Sequence, residues 1–215
     1  MTIDVAKVVY INLDDRPERR SHMEEVLASC PWPHMRLSAT RFPSLPDEFK
    51  PRMARKLRGE RAIASIWTSH RRTLELFAAS PSDGHFVLLE DDVHVRPDFW
   101  AHMHEHVALA PADWQIILFT PRYRVRQGGE PGKKVFVGPP FGSGPNDLQR
   151  AIETHHCTGA HFCLFRNRQT ADQVGNDLEA SNQVYDVDVF YATNYRTYGI
   201  SDARVRAGGF GSDHI

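Results

Sequence analysis

The chain has 215 residues, 41% of them hydrophobic and 25% charged, a balance that fits one globular domain, or one with a small C-terminal annex, and excludes a disordered chain. No apolar run approaches the roughly 18 residues of a membrane-spanning helix, and the N-terminus lacks the basic-then-apolar plan of a signal peptide, so the chain reads as cytoplasmic. A formal net charge of -1 supplies no global positive field for nucleic acid, which makes a duplex-DNA binder a poor reading.

The first element is a strand, Lys7-Val8-Val9-Tyr10-Ile11, a β-branched and aromatic run turned by Asn12-Leu13-Asp14-Asp15. Pro17 suits the first turn of a helix, favoured at its N-terminus by Asp14 or Asp15 and running through Arg19, Met23, Val26 and Leu27. A Pro-rich passage over residues 30–51 is too broken for long elements and leaves room for a short strand near residues 35–37. From residue 62 to 79 the apolar residues Ile63, Ile66, Trp67, Leu74 and Phe77 recur at helical spacing, ending at Ser80-Pro81. His85-Phe86-Val87-Leu88-Leu89 is a second buried strand, with Glu90, Asp91 and Asp92 at its C-terminal end. A helix over residues 97–109 and a strand over 114–119 follow.

Residues 121–150 are rich in Gly and Pro, with room for a small hairpin around residues 135–137; a loop of this length in a compact domain is functional or disordered. A strand over 160–165 and a helix over 169–180 come next. Residues 184–194 are ambiguous, and Gly208-Gly209-Phe210-Gly211 reads as a flexible tail. The three cysteines, Cys30, Cys157 and Cys163, cannot all pair within the chain and form no CxxC spacing, so they read as reduced thiols. Alternation of strand and helix makes an α/β domain with a mostly parallel central sheet, which binds ligands beyond the carboxyl ends of its strands.

Glu90, Asp91 and Asp92 are the strongest chemical signal. Three adjacent carboxylates repel one another, each unit-charge pair being worth roughly 4 kcal/mol at 4 Å and an effective dielectric of 20, unless a cation or donors compensate. Residues i and i+2 of an extended chain share a side, so Glu90 and Asp92 can jointly hold one Mg²⁺ or Mn²⁺ through oxygen. Their position at the ligand-binding edge favours a metal site over a solvated acidic turn. Asn12 to Arg20 adds guanidinium groups and a helix N-terminus after the first strand, both attractive to phosphate. Ser69-His70 lacks the surroundings of a nucleophile elbow, so it predicts hydrogen bonding rather than nucleophilic attack.

These pieces occur in an order that resembles glycosyltransferase family 25, which includes bacterial lipooligosaccharide galactosyltransferases and the collagen galactosyltransferase domain. The resemblance rests on Ile11-Asn12-Leu13 with Arg16 and Arg19-Arg20, on Ser69-His70, on Leu89-Glu90-Asp91-Asp92-Val93, on His156-Cys157-Thr158-Gly159-Ala160, and on Val187-Asp188. It covers nearly the whole chain. It implies a GT-A type nucleotide-sugar-binding fold in a single domain over residues 1–215, with a nucleotide-binding part over 1–119 and an acceptor-side part over 120–215.

The resemblance further implies a UDP-sugar donor and Mn²⁺ or Mg²⁺ as cofactor, with a hexose, galactose or glucose, transferred to a glycan or glycoconjugate hydroxyl with inversion. Asn12, Leu13 and Arg16 would line the nucleotide pocket together with Ser69 and His70, and Asp91 would lie against the ribose or donor sugar. Glu90 and Asp92 would hold the metal, with His214 as a further ligand. Inversion in one step requires a general base; family position selects Asp188, with Asp186 second. The chain departs from the family at Ser65-Ile66-Trp67-Thr68, where many members have a glycine and a cysteine, and at Ala207, where a glutamine is usual. Residues 121–150 have no counterpart and are expected to recognise the acceptor. Two rival readings are a non-catalytic GT-A-like interaction module, and a metal-dependent phosphoesterase built from Glu90, Asp91 and Asp92 with His155 and His156.

Overall fold

A computed structural model describes residues 3–53, 59–119, 122–125, 134–135, 155–200, 202 and 204–208. His214 and most of residues 121–150, to which a metal ligand and acceptor recognition are assigned above, lie outside the described residues, as do the side chains of Cys157, His155 and His156. The first strand, β1 (Val5–Asn12), is buried on both faces at Val8, Val9, Tyr10 and Ile11, the pattern of an inner parallel strand. Helix α1 (Pro17–Leu27) has Pro17 in its first turn and draws no side-chain cap from its N-cap residue, Arg16. Asp14 and Asp15, expected to favour that helix start, instead pair with Arg36 and Arg41. Both arginines come from the chain segment that follows the helix, so the two carboxylates face that segment and not the start of the helix.

Strand β2 (His34–Ser38) lies parallel to β1. Helix α2 (Glu60–Ala78) buries Ile63, Trp67, Leu74 and Phe77 along one face, and the Phe77 ring stacks on Phe86 at 4.8 Å. Strand β3 (His85–Glu90) is wholly buried from Phe86 to Leu89. Two short elements follow, β4 (Val93–Val95) and helix α3 (Phe99–Leu109), then β5 (Ile116–Phe119). Beyond it, β6 (Arg122–Val125) pairs antiparallel with β7 (Lys134–Val135) and with β8 (His155–Thr158) in a separate three-stranded sheet.

The chain then returns through β9 (Phe162–Phe165) to α4 (Arg168–Ala180), which Asn167 caps by accepting from the Thr170 amide at 2.9 Å. The ambiguous stretch resolves as α5 (Val187–Asn194), followed by β10 (Thr197–Ile200) and β11 (Val205–Ala207).

The main sheet runs β10-β5-β9-β3-β1-β2. Every neighbouring pair is parallel except the two made by β9, which runs against both β3 and β5. The mixed α/β architecture with a mostly parallel central sheet is therefore as expected. Strand β9 sits between β3 and β5, so chain from beyond residue 120 is threaded into the sheet formed by the first part. Among the described residues no helix is long and apolar enough to cross a membrane, and Cys163 is fully buried as a small hydrophobe, its thiol donating to the Ala160 carbonyl at 3.1 Å.

The lone antiparallel strand positions the site. β1, β2 and β3 all end at one edge, whereas β9 begins there. The turn before β9, residues 159–161, thus meets the end of β3: the Glu90 amide donates to the His161 carbonyl at 2.9 Å. β11 pairs antiparallel with β4, setting Ala207 opposite Val93, and the Gly208 amide donates to the Asp92 carbonyl at 3.1 Å. Four segments distant in sequence converge on one sheet edge.

Candidate active site

The end of β3 at Glu90 and the turn at Asp91 and Asp92 separate the three acids. Asp91 turns inward and is only 8% exposed. Its Oδ2 accepts from Asn12 Nδ2 at 2.8 Å and its Oδ1 from Arg19 Nη1 at 2.9 Å, so both oxygens are engaged by β1 and α1. Asn12 in turn accepts from Arg36 Nε at 2.9 Å and donates to the Arg16 carbonyl at 3.2 Å. Asn12 and Asp91 therefore stitch the first strand to the third. Arg19→Ala leaves the Asp91 carboxylate buried without its countercharge, and a loss of about 3 kcal/mol in unfolding free energy is expected by urea denaturation; a loss below about 1 kcal/mol would show that solvent already screens the pair.

Glu90 and Asp92 face the other way, into a cleft of about 290 Å³. Asp186 and Asp188, at the start of α5, line the same cleft, and Ile63, Ile66 and Tyr185 contribute apolar surface to it. Asp188 lies in the first turn of α5, 8% exposed. Its carboxylate accepts from the Gly159 amide at 2.5 Å and from the Val189 amide at 2.8 Å. Gly159 adopts φ 125°, a conformation that only glycine takes without strain and that turns its N–H toward Asp188. Burial pushes the Asp188 carboxyl up to about 7, against the pull of the two amides, with Asp186 and Glu90 adding repulsion. A carboxyl that titrates near neutrality, held by two backbone donors in a cleft, is placed to take a proton from a bound hydroxyl. Asp186 is exposed at the rim and makes no side-chain cap to α5.

Among the described residues no three His, Cys, Asp or Glu side chains converge into a complete metal cage. The pair Glu90 and Asp92 nonetheless fits Mg²⁺ or Mn²⁺ by its chemistry. Such hard cations bind through one or two carboxylates, with substrate phosphates and water completing the shell.

The other residues singled out in the sequence divide between cleft and scaffold. Leu13 and Arg16 sit half-buried in the turn after β1, the Arg16 amide donating to the Leu13 carbonyl at 3.1 Å. Ser69 Oγ accepts from the Thr40 amide and donates to the Ser65 carbonyl, each at 2.8 Å, which ties the chain after β2 to α2. His70, 1% exposed, lies behind Glu90 with Nε2 at 3.4 Å from Oε1. In the segment that departs from family 25, Ile66 lines the cleft while Trp67 is buried and donates to the Leu178 carbonyl at 3.1 Å.

Sequence reasoning passed over Tyr185, Tyr191 and His161. The signal for His161 was present, since it follows the His156-to-Ala160 motif directly. The tyrosines carried none, because only the tertiary course of the chain brings Tyr185 to the cleft and Tyr191 to His70 behind it.

No family model matches the chain, and no curated protein matches it. Solved structures similar to it include a glycosyltransferase involved in the glycosylation of the major capsid of PBCV-1, at 10% identity over 83% of this chain and 68% of that one, TM-score 0.43. A second is the galactosyltransferase LgtC in complex with donor and acceptor sugar analogs, at 12% identity over 91% and 72%, TM-score 0.41. A third is 4-diphosphocytidyl-2C-methyl-D-erythritol synthase from Anaerococcus prevotii, at 7% identity over 92% and 88%, TM-score 0.39.

Proposed function

We propose that this protein is a GT-A type glycosyltransferase that moves a hexose, galactose or glucose, from a UDP-sugar to a hydroxyl of a glycan or glycoconjugate, with inversion, using Mn²⁺ or Mg²⁺. The observation that carries the reading is that two pairs of carboxylates from segments far apart in sequence line one cleft at the C-terminal edge of the sheet: Glu90 and Asp92 after β3, Asp186 and Asp188 at the start of α5. One pair suits a cation. The other contains a group poised to act as base.

In this reading residues 1–119 hold the nucleotide through Asn12, Leu13 and Arg16, residues 120–215 form the acceptor side, and the order of motifs supports a likeness to family 25. His214 is the further metal ligand. Ser69 and Asp91 serve the donor pocket indirectly, since their polar atoms already anchor the strands and loops that frame it. A metal held by Glu90 and Asp92 supplies Lewis-acid stabilisation of the charge that develops on the departing diphosphate. Asp188 takes the proton as the acceptor oxygen bonds to the anomeric carbon. The bond from that carbon to the diphosphate oxygen breaks with its electron pair leaving on UDP. The apolar surface of Ile63, Ile66 and Tyr185 restricts water in the cleft and offers a face for a sugar ring.

The first test is binding. At a hundredfold excess over Kd, UDP with Mn²⁺ is expected to raise the melting temperature by about 5–10 °C, and UDP alone by far less. A shift that ignores the metal, or none with any nucleotide, rejects the reading. Slow release of free hexose from one UDP-sugar in the presence of Mn²⁺ then identifies the donor.

A further inference from the structure

Behind the cleft, three polar groups stand in a line. The Tyr191 hydroxyl on α5 lies 3.0 Å from His70 Nδ1 on α2, and His70 Nε2 lies 3.4 Å from Glu90 Oε1. Tyr191 and His70 are 0% and 1% exposed, whereas a third of the Glu90 side chain is open to the cleft. Burial drives the Tyr191 hydroxyl well above its ordinary range, with nearby ionisable groups adding to the effect, so its single hydrogen stays in place and needs an acceptor.

The two ends of the imidazole are thereby distinguished. A neutral ring has one donor and one acceptor nitrogen, and its tautomer follows the hydrogen bond made by the other end. A protonated phenol presents a hydrogen to Nδ1. An ionised Glu90 only accepts, so it favours N–H at Nε2. The opposite tautomer would set an Nε2 lone pair against a carboxylate oxygen and leave the phenol hydrogen without its 3.0 Å acceptor. His70 Nε2 has no other hydrogen-bond partner among the described residues, and at 3.4 Å a small rotation of the partly exposed Glu90 side chain closes the contact.

We propose that Tyr191 fixes His70 in its Nε2–H tautomer, and that His70 in turn orients the Glu90 carboxylate for metal binding. The proposal rests on the reading of Glu90 as a metal ligand. His70 and Tyr191 are positioning residues: neither lines the cleft. Carboxylates that bind metals are themselves commonly held by hydrogen bonds from behind, and losing such a partner costs about 10- to 100-fold in metal affinity.

Three variants separate positioning from packing. In His70→Gln the amide nitrogen reproduces the place of Nε2 and keeps a donor toward Glu90. In His70→Asn the side chain ends near the place of Nδ1, keeping a partner for Tyr191 and losing the donor. Tyr191→Phe removes only the hydroxyl. With UDP present, the Mn²⁺ dissociation constant, read from the free-Mn²⁺ electron paramagnetic resonance signal, is expected to rise about 10- to 100-fold in His70→Asn. It stays within about threefold of wild type in His70→Gln, and takes an intermediate value in Tyr191→Phe.

A packing role ties Mn²⁺ affinity to melting temperature in all three variants, so affinity that simply tracks melting temperature, or Mn²⁺ binding restored in His70→Asn at a temperature where it is fully folded, overturns the proposal. Nitrogen NMR of the metal-free protein reads the tautomer directly. An Nδ1–H ring, or a doubly protonated one at pH 8, also overturns it. A wild-type protein that binds no Mn²⁺ overturns the metal reading itself. Normal Mn²⁺ binding left unchanged in all three variants overturns only the positioning role.

Discussion

Asp188→Asn is expected to lower sugar transfer by about 10²- to 10⁴-fold, the contribution of a positioned general base, while making the metal-free protein more stable at pH 8. The two effects have one origin. The Asp188 carboxyl titrates at about 3.8 when solvated and near 7 in the folded protein, because burial disfavours its charge. The folded state therefore holds this proton more tightly than the unfolded state. The associated stability is fully present below about pH 4 and is lost as pH rises through 7.

Above that pH the wild-type protein carries a buried carboxylate at a cost of at most about 4 kcal/mol, from a difference of about three pH units. Asparagine carries no charge at any pH. It keeps an acceptor for the Gly159 amide but turns the other oxygen into a donor, so a net gain of about 1–2 kcal/mol is expected, or about 3–6 °C in melting temperature. At pH 4 the gain vanishes. Wild-type kcat/KM should rise with pH through about 7 as Asp188 ionises, and the variant should lack that limb. Near-normal transfer by Asp188→Asn would transfer the role of base to Asp186, whereas a variant less stable than wild type at pH 8 would mean that the buried charge does not carry the cost described.

The second large effect concerns neighbours in sequence that behave as opposites. Asp92→Ala should abolish the metal dependence of UDP binding and lower transfer by roughly 10³-fold or more, since Lewis-acid stabilisation in such sites amounts to several kcal/mol. Its fold, followed by circular dichroism and urea denaturation, should be close to wild type, because the Asp92 carboxylate faces the cleft. Asp91→Asn should do the converse. It discharges the ion pair with Arg19, whose side chain is only 9% exposed, so stability falls while the correctly folded fraction still responds to Mn²⁺. Equal loss of metal response in both variants would mean that the turn after β3 does not divide the acids as described.

Much of this arrangement was legible in the chain. The apolar runs at Val8 to Ile11 and Phe86 to Leu89 specify inner strands because no other placement buries both faces of an extended segment. The i, i+2 spacing put Glu90 and Asp92 on one side, but the burial of Asp91 between Asn12 and Arg19, where the resemblance had set it against the ribose or donor sugar, came only with the fold. The helix found over residues 60–78 was expected over 62–79 from its apolar period. The short strands β4, β10 and β11 were not legible. Three or four residues carry too little periodicity to separate strand from turn, and each is held by its partner rather than by its own pattern.

The sequence by itself determined the layered α/β plan, the acidic edge and the candidates facing it, since these depend on local burial and on the alternation of side chains along the backbone. The tertiary structure alone decided which acids share the cleft. That outcome depends on β9 entering the sheet antiparallel, which brings Gly159 and His161 to the end of β3 and lets the Gly159 amide reach Asp188. It depends equally on α5 folding back so that Tyr191 meets His70. Contacts between groups 29 and 121 residues apart are a property of chain topology, and no local pattern of residue types encodes them.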